Sequence, residues 1–407
     1  MARPRTATVA FILVVLLLDT LGIGVIIPVL PRLVESFLGG DMAEASRWFG
    51  AFVSAYAAMQ FFFAPIMGAL SDRFGRRAVI LTSLLGAALD YLLLAFAPSL
   101  SWLFVGRVVA GITGASFSAA TAYIADITPP EKRAQSFGMV GAAFGLGFVL
   151  GPAVGGLLAA VHLRAPFLLA AGLNVLNLIY GLFVLPESLA PEHRRPFDLA
   201  RANPLGALRR LAASPLLLGF TGTLVCAYLA QQILQAVWAL YTQERFDWLP
   251  LQIGISLAVV GIMTGVVQGG FVRIAMRRLG EEKSVLVGLV FNIIGFVAFG
   301  LATEGWMMYA LLVPFSLGGI AGPAIQSLLT RQVGPSEQGE LQGSLASLQS
   351  VTAIIGPIIA TGLFSRFAPA GASPHVPGAP FFAAAALNSL GIVLAWRLFA
   401  RLAAKPA

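Results

Sequence analysis

Only one of the 407 residues is a cysteine, Cys226, so no intramolecular disulfide exists and a structural zinc site has no thiolate set to draw on. Histidine is almost as scarce: His162, His193 and His375 all fall in segments expected to be loops, and no Ser/His/Asp set or metal spacing surrounds them. A Gly-x4-Gly-Lys-Ser/Thr loop is missing, which argues against nucleotide drive. Charged residues make up only 11% of the chain. An enzyme is therefore not expected, and neither is a resident metal or cofactor. The net charge of +8 is spread through connecting segments rather than gathered in a patch, so nucleic acid is not the expected partner.

What the chain has in abundance is apolar surface: 58% of residues are hydrophobic and the mean hydropathy is +0.86. A soluble protein of this length cannot hide that much, so the solvent is lipid. The 24 prolines and 44 glycines fit packed membrane helices, which tolerate both. The apolar runs are continuous, not alternating, and about twenty residues long, which indicates helices rather than a barrel. The first run, 9–30, lacks a small-residue cleavage site and is expected to be a retained span. Cutting at polar or Pro/Gly-rich breaks predicts about twelve spans, near residues 8–30, 48–70, 78–97, 101–124, 136–160, 166–185, 215–241, 251–274, 284–302, 306–329, 341–364 and 380–400.

Of the 26 Lys and Arg residues, twenty fall on one side of these spans and five on the other, with Arg107 left inside a span. The crowded side is expected to be cytoplasmic, and both termini lie there. The longest connection, 186–214, is polar and basic and follows the sixth span. It divides the chain into an N-terminal six-helix bundle (1–185), a central cytoplasmic loop (186–214) and a C-terminal six-helix bundle (215–407). A shift of about 205 residues sets Gly75 on Gly280 and Gly151-Pro152 on Gly356-Pro357. It also sets Pro129-Pro130-Glu131-Lys132 on Gly334-Pro335-Ser336-Glu337. The expected fold is all-α, with two pseudo-symmetric six-helix bundles and a path between them, the plan of a secondary transporter.

Ionisable groups within the spans are few: Asp19, Asp90 and Arg107, each expensive in hydrocarbon and so a functional candidate. Asp19 lies midway along the first span, ahead of Gly22 and Gly24. Burial there favours a neutral carboxyl, which suits proton uptake and release; a structural carboxylate bonded to neighbouring helices is the plainer alternative. Asp90 and Arg107 lie at similar depth in consecutive antiparallel spans and can pair, either to lock two helices or to sense proton or substrate. Neutral polar groups add Gln60, Gln231, Gln235, Trp238, Gln268, Asn292, Gln326 and Gln349, which suit a flat, partly polar ligand or serve as interhelix glue. The fifth span carries Gly141, Gly145, Gly147, Gly151, Pro152, Gly155 and Gly156, a spacing for close backbone packing with a bend at the proline. Segment 68–77, Gly68-Ala-Leu-Ser-Asp72-Arg73-Phe-Gly75-Arg76-Arg77, reads as a short charged turn on the cytoplasmic side. There Asp72, or Asp126 at the end of the fourth span, can pair with Arg73, Arg76 or Arg77 and act as a latch. Its second-half counterpart, 277–283, lacks the matching aspartate.

That turn resembles the loop signature of the major facilitator superfamily. Arg107-x3-Gly111 resembles its fourth-span signature, and the run from Gly141 to Gly156 its antiporter signature. Runs such as Leu18-Asp19-Thr-Leu-Gly-Ile-Gly, Tyr56-Ala-Ala-Met-Gln60 and Leu89-Asp90-Tyr-Leu-Leu-Leu-Ala-Phe96 resemble the tetracycline/proton antiporters of that superfamily over nearly the whole chain. The resemblance implies expulsion of a small-molecule drug, as a tetracycline–divalent cation (Mg2+) chelate, in exchange for an incoming proton. It implies a multi-pass protein of the bacterial inner membrane driven by the proton gradient. Asp19 and Asp90 match acids needed for transport, Arg107 an essential arginine, Asp72 a gating aspartate and Gln60 a glutamine near the substrate path. Two positions depart from the family pattern: Asn292 stands where a membrane aspartate is usual, and Thr264 where a histidine is. The other readings are a multidrug or endogenous-metabolite transporter of the same fold, and, from a different class, a channel or a non-transporting scaffold. Oligomeric state is not legible in the sequence.

Overall fold

A computed structural model describes residues 9–114, 116–129, 132–194, 215–332, 338–369 and 371–403. Among the described residues the regular structure is helical throughout, and twelve helical stretches are long and apolar enough to cross a membrane, from Val9–Ile26 to Ala379–Arg401. In chain order the helices of the first half are α1 (Val9–Ile26), α2 (Leu30–Ser36), α3 (Met42–Phe74), α4 (Arg76–Phe96), α5 (Leu100–Thr113), α6 (Ser116–Ile127), α7 (Arg133–Val161) and α8 (Ala165–Phe183). Those of the second half are α9 (Pro215–Phe246), α10 (Pro250–Val266), α11 (Val272–Leu279), α12 (Glu281–Leu301), α13 (Gly305–Ser316), α14 (Ala321–Thr330), α15 (Gln338–Phe367) and α16 (Ala379–Ala403). Most of the central loop expected at 186–214, and the repeat match at 334–337, lie outside the described residues.

Several expected spans are interrupted. The fourth breaks at Gly114 into α5 and α6. The eighth contains a π-turn, Val267–Phe271, where two successive glycines weaken the regular ladder. The tenth tightens into a 3-10 turn, Leu317–Ile320, just after Pro314 removes a helical donor. The charged segment 68–77 is not a loop either. Helix α3 continues through Asp72 and Arg73 to Phe74, and only Gly75 leaves the helical region, at φ 104°. One residue is enough to turn the chain there because glycine alone takes that φ without a Cβ clash.

By contacts the chain divides into two compact units. One comprises Met1–Phe37, Ala55–Asn203 and Leu249–Ala258, and the other Leu38–Ser54, Pro204–Trp248 and Val259–Ala407. In the first unit α1 packs on α7 through small residues. A Cβ on Gly151 would stand 2.7 Å from the Gly24 backbone, and one on Gly155 would overlap the Val25 carbonyl. Helix α4 packs on α8 and is gripped at both ends by charges that flank α8. At its start, Glu187 accepts from the Arg76 and Arg77 backbone N–H groups at 2.8 and 3.2 Å. At its end, Arg164 donates to the Ala95 and Ala97 carbonyls at 3.1 and 3.3 Å. A carboxylate at the N-terminus and a guanidinium at the C-terminus both complement the helix dipole. In the second unit a buried apolar cluster (Phe220, Leu289, Ile325, Leu345, Phe399) ties α9, α12, α14, α15 and α16 together.

Candidate functional site

The first unit contains a polar cluster inside its spans. Asp19, Asp90 and Arg107 are only 7%, 1% and 9% exposed. Arg107 on α5 meets Asp90 on α4 at two points: Nε donates to Oδ1 at 3.2 Å, and the terminal nitrogen Nη2 contacts Oδ2. Such a fork is the strong form of the ion pair, and Gly106 makes room for it, since a Cβ there would stand 2.7 Å from Asp90 Oδ1. The Arg107 guanidinium also lies 5.9 Å from the centre of the Tyr56 ring on α3. Gln60, one turn further along α3, donates to the Tyr56 hydroxyl at 3.4 Å and to the Gly114 carbonyl at 3.0 Å. It thereby satisfies a carbonyl released where the fourth span breaks. Asp19 lies within electrostatic range of Tyr56 and of Tyr91 on α4. The cluster thus joins the three intramembrane charges picked from the sequence to Tyr56, Tyr91 and Gln60.

A second network ties the start of α4 to the end of α6 in the same unit. Arg76 donates to Asp72 at 2.5 Å, to Asp126 at 3.1 Å and to the Ser71 hydroxyl at 3.2 Å. Ser188 donates to the same Asp126 oxygen at 3.1 Å, and Arg77 donates to the Leu182 carbonyl at 2.6 Å. Of the three candidate arginines, Arg76 bridges both carboxylates, while Arg73 lies against the Phe74 ring. Glu187, which the sequence reading did not single out, ties this network to the helix α4 terminus. A Cβ on Gly75 would collide with its carboxylate.

Over residues 12–357, and again over 223–407, the sequence matches the description Major Facilitator Superfamily. The chain belongs to the Major Facilitator Superfamily. It is 44% identical to the class C tetracycline resistance protein of Escherichia coli over 351 residues, covering 86% of this chain and 88% of that protein. To the Escherichia coli class B protein it is 37% identical over 359 residues, with 88% of each covered. Among solved structures, the human organic anion transporter MFSD10 (TETRAN) matches at 26% identity and TM-score 0.69, over 95% of this chain and 98% of that one. A mutant of the nucleoside transporter NupG matches the fold at TM-score 0.77 and 14% identity, over 96% of this chain and 99% of that one. This superfamily member is accordingly a multi-pass membrane transporter of small molecules, and the proteins it resembles are transporters rather than enzymes.

In this superfamily member the glycines of the antiporter-like run differ in role. Gly151, Gly155 and Gly156 are buried with backbone where a Cβ would go, whereas Gly141 and Gly145 have nothing within 4 Å of that position. Pro152 is buried beside Gly24. Gly68 has open space as well.

The second unit presents the other polar candidates. Gln231 and Gln235 are exposed on α9, but Trp238 is buried and packs edge-on to Phe299 at 5.3 Å, as part of the core. Gln326 donates to Gln342 at 3.3 Å across α14 and α15, and Gln349 is exposed. The Asn292 amide occupies the space that a Cβ on Gly318 would need, beside the 3-10 turn. The π-turn lies against the same turn through Val267 and Gly319.

The offset of 205 residues carries a charge inversion. It sets Asp72 on Arg277, Arg76 on Glu281 and Asp126 on Arg331. Glu281 pairs with Arg331 at 2.7 Å and accepts from the Ser327 hydroxyl at 2.7 Å, and its helix also starts after a left-handed glycine, Gly280 at φ 78°. The tie between the start of one helix and the end of the next recurs with its signs exchanged. The local reason is the helix start: α12 supplies its own acids, Glu281 and Glu282, in its first turn, whereas α4 starts with two arginines and borrows Glu187.

Proposed function

We propose that this transporter exports a tetracycline-like drug, as a chelate with Mg2+ as part of the substrate, from the cytoplasm across the bacterial inner membrane in exchange for protons. The observation that carries the reading is the buried carboxylate of Asp19, placed in one unit with Tyr56, Tyr91 and the Asp90–Arg107 pair. A carboxyl in that position can take a proton and lose it again as access alternates. Asp90 already has a guanidinium as its partner, so Asp19 is assigned the proton and Asp90–Arg107 the fixed charge beside it. The similarity to tetracycline resistance proteins supports the substrate class. The Arg76 network supports the cytoplasmic gate, and the bias of Lys and Arg supports both termini in the cytoplasm.

Everted membrane vesicles energised by respiration test this. Tetracycline with Mg2+ is expected to accumulate and to release protons from the lumen, and Asp19→Asn is expected to abolish both. Accumulation that survives Asp19→Asn, or no movement of tetracycline at all, overturns the assignment. Asn292 and Thr264 favour a second reading, in which the drug is another planar amphiphile that needs no chelated cation. Transport independent of Mg2+ would select it.

A further inference from the structure

Two asparagines on α8, Asn174 and Asn177, are completely buried, and three residues' spacing puts them on one face. Each amide is oriented by its nitrogen: Asn177 Nδ2 donates to the Val15 carbonyl of α1 at 2.8 Å, and Asn174 Nδ2 to the Ala170 carbonyl at 3.0 Å. Each carbonyl oxygen is left without a donor. A buried amide oxygen in that condition is unfavourable unless something donates to it in another state of the protein.

The stripe of α1 that these amides touch carries a group able to become such a donor. Val15, Asp19 and Gly22 are four and three residues apart and form one stripe. Asn177 grips the stripe at Val15. Asn174 sits at Gly22, where a Cβ would come within 2.8 Å of its nitrogen, with the Tyr91 ring at 3.6 Å from the same point. Along that stripe Asp19 falls between the residues that the two amides touch. An ionised carboxylate only accepts hydrogen bonds, so an amide oxygen offers it nothing, whereas a protonated carboxyl has an O–H to donate.

We propose that Asn174 is a positioning residue for proton coupling, whose side-chain oxygen accepts the hydrogen bond of Asp19 when that carboxyl is protonated. When the proton arrives, Asp19 becomes a donor and the amide oxygen gains its partner. When the proton leaves, that bond is lost. Asn177 anchors α8 to the α1 backbone one turn away and holds Asn174 in register. The other titratable groups around Asp19 are Tyr91 on α4 and Tyr56 on α3, with Arg107 of α5 behind Tyr56. Tyr123 of α6 belongs to the apolar cluster with Ile12, Val15 and Leu16, and α7 meets α1 with Gly147, Gly151 and Gly155. The inference rests on Asp19 as the proton carrier.

Infrared difference spectra of the purified full-length protein in liposomes, titrated between acid and neutral pH, test it. The C=O band of the protonated carboxyl is assigned to Asp19 by its loss in Asp19→Asn. In Asn174→Leu the band is expected at higher frequency, and the pH profile of drug/proton exchange about one unit toward acid, the size of one buried hydrogen bond. Asn174→Ser, which keeps an oxygen acceptor, should recover part of both shifts, and Asn174→Ala gives the same comparison if the leucine variant does not fold. An unmoved band and profile in the leucine or alanine variant overturn the role of Asn174. If Asp19→Asn removes no band, the proton-carrier assignment fails and takes this inference with it.

Discussion

Removing one member of the Asp90–Arg107 pair should cost far more than removing both. Asp90 is 1% exposed and Arg107 9%, and the pair is made through both carboxylate oxygens. Arg107→Gln leaves a carboxylate in the interior without its cation, and Asp90→Asn leaves the guanidinium without its anion. A broken buried pair costs about 3–5 kcal/mol, which is roughly two to nearly four decades in the unfolding constant. The contact between Arg107 and the Tyr56 ring adds about 0.5–2 kcal/mol to the arginine side. In the double variant Asp90→Asn/Arg107→Gln no charge is stranded, so most of the loss should return. Unfolding titrations in mixed micelles, followed by tryptophan fluorescence, give the three values needed for the cycle. Single-variant losses below about 1 kcal/mol, the range of exposed pairs, would refute the claim that the pair is sealed from solvent. Export then separates the two roles of the pair. A stable double variant that has lost proton-driven export places the charges in the transport cycle. One that exports normally makes them a helix lock.

Other consequences can be checked separately. Gly155→Ala should lower the amount of folded protein, because its methyl group would strike the Val25 carbonyl, while Gly141→Ala and Gly145→Ala should leave the amount unchanged. Immunoblots of membrane fractions measure this, and equal losses at all three positions would contradict the packing described. Glu187→Gln weakens two backbone caps and should destabilise the α4 start by about 1–2 kcal/mol. Faster hydrogen exchange at Arg76 and Arg77 would report it, and unchanged exchange would rule it out. Asp72→Asn and Asp126→Asn should each slow turnover while leaving the drug's binding affinity nearly unchanged, because Arg76 bridges both. Equal turnover in both variants and the parent would remove the gate. Glu281→Gln should cost only about 0–1 kcal/mol in the ion pair, since Arg331 is largely exposed, and the same unfolding titration tests that limit.

The spans were legible because hydrocarbon demands long apolar runs, and the three charges inside them stand out for the same reason. What hydropathy does not register is the backbone. It shows neither the break at Gly114 nor the π-turn at Val267–Phe271, both of which lie in sequences apolar enough to pass for continuous helix. The charged run at 68–77 reads as a turn because it is polar. Polarity, however, does not end a helix that still satisfies its own hydrogen bonds, and Gly75 alone ends this one. Tyr56 and Tyr91 enter only as members of family-like runs, and Asn174 and Asn177 are hidden among apolar neighbours, although an Asn-x-x-Asn pair inside a span is a signal of its own. Glu187 carried no such signal, because its partners at Arg76 and Arg77 are more than a hundred residues away in sequence.

The exchanged charges at the two helix starts mean that these segments are not interchangeable parts. Grafting the 72–77 segment onto 277–282 would set an arginine opposite Arg331, and the reciprocal graft would set a glutamate opposite Asp126. Each graft keeps the left-handed glycine and the helix length and still brings like charges together. A chain assembled from two copies of either half would keep both ends of its own tie, whereas a graft of the start segment alone settles only if the far end, Asp126 or Arg331, changes with it.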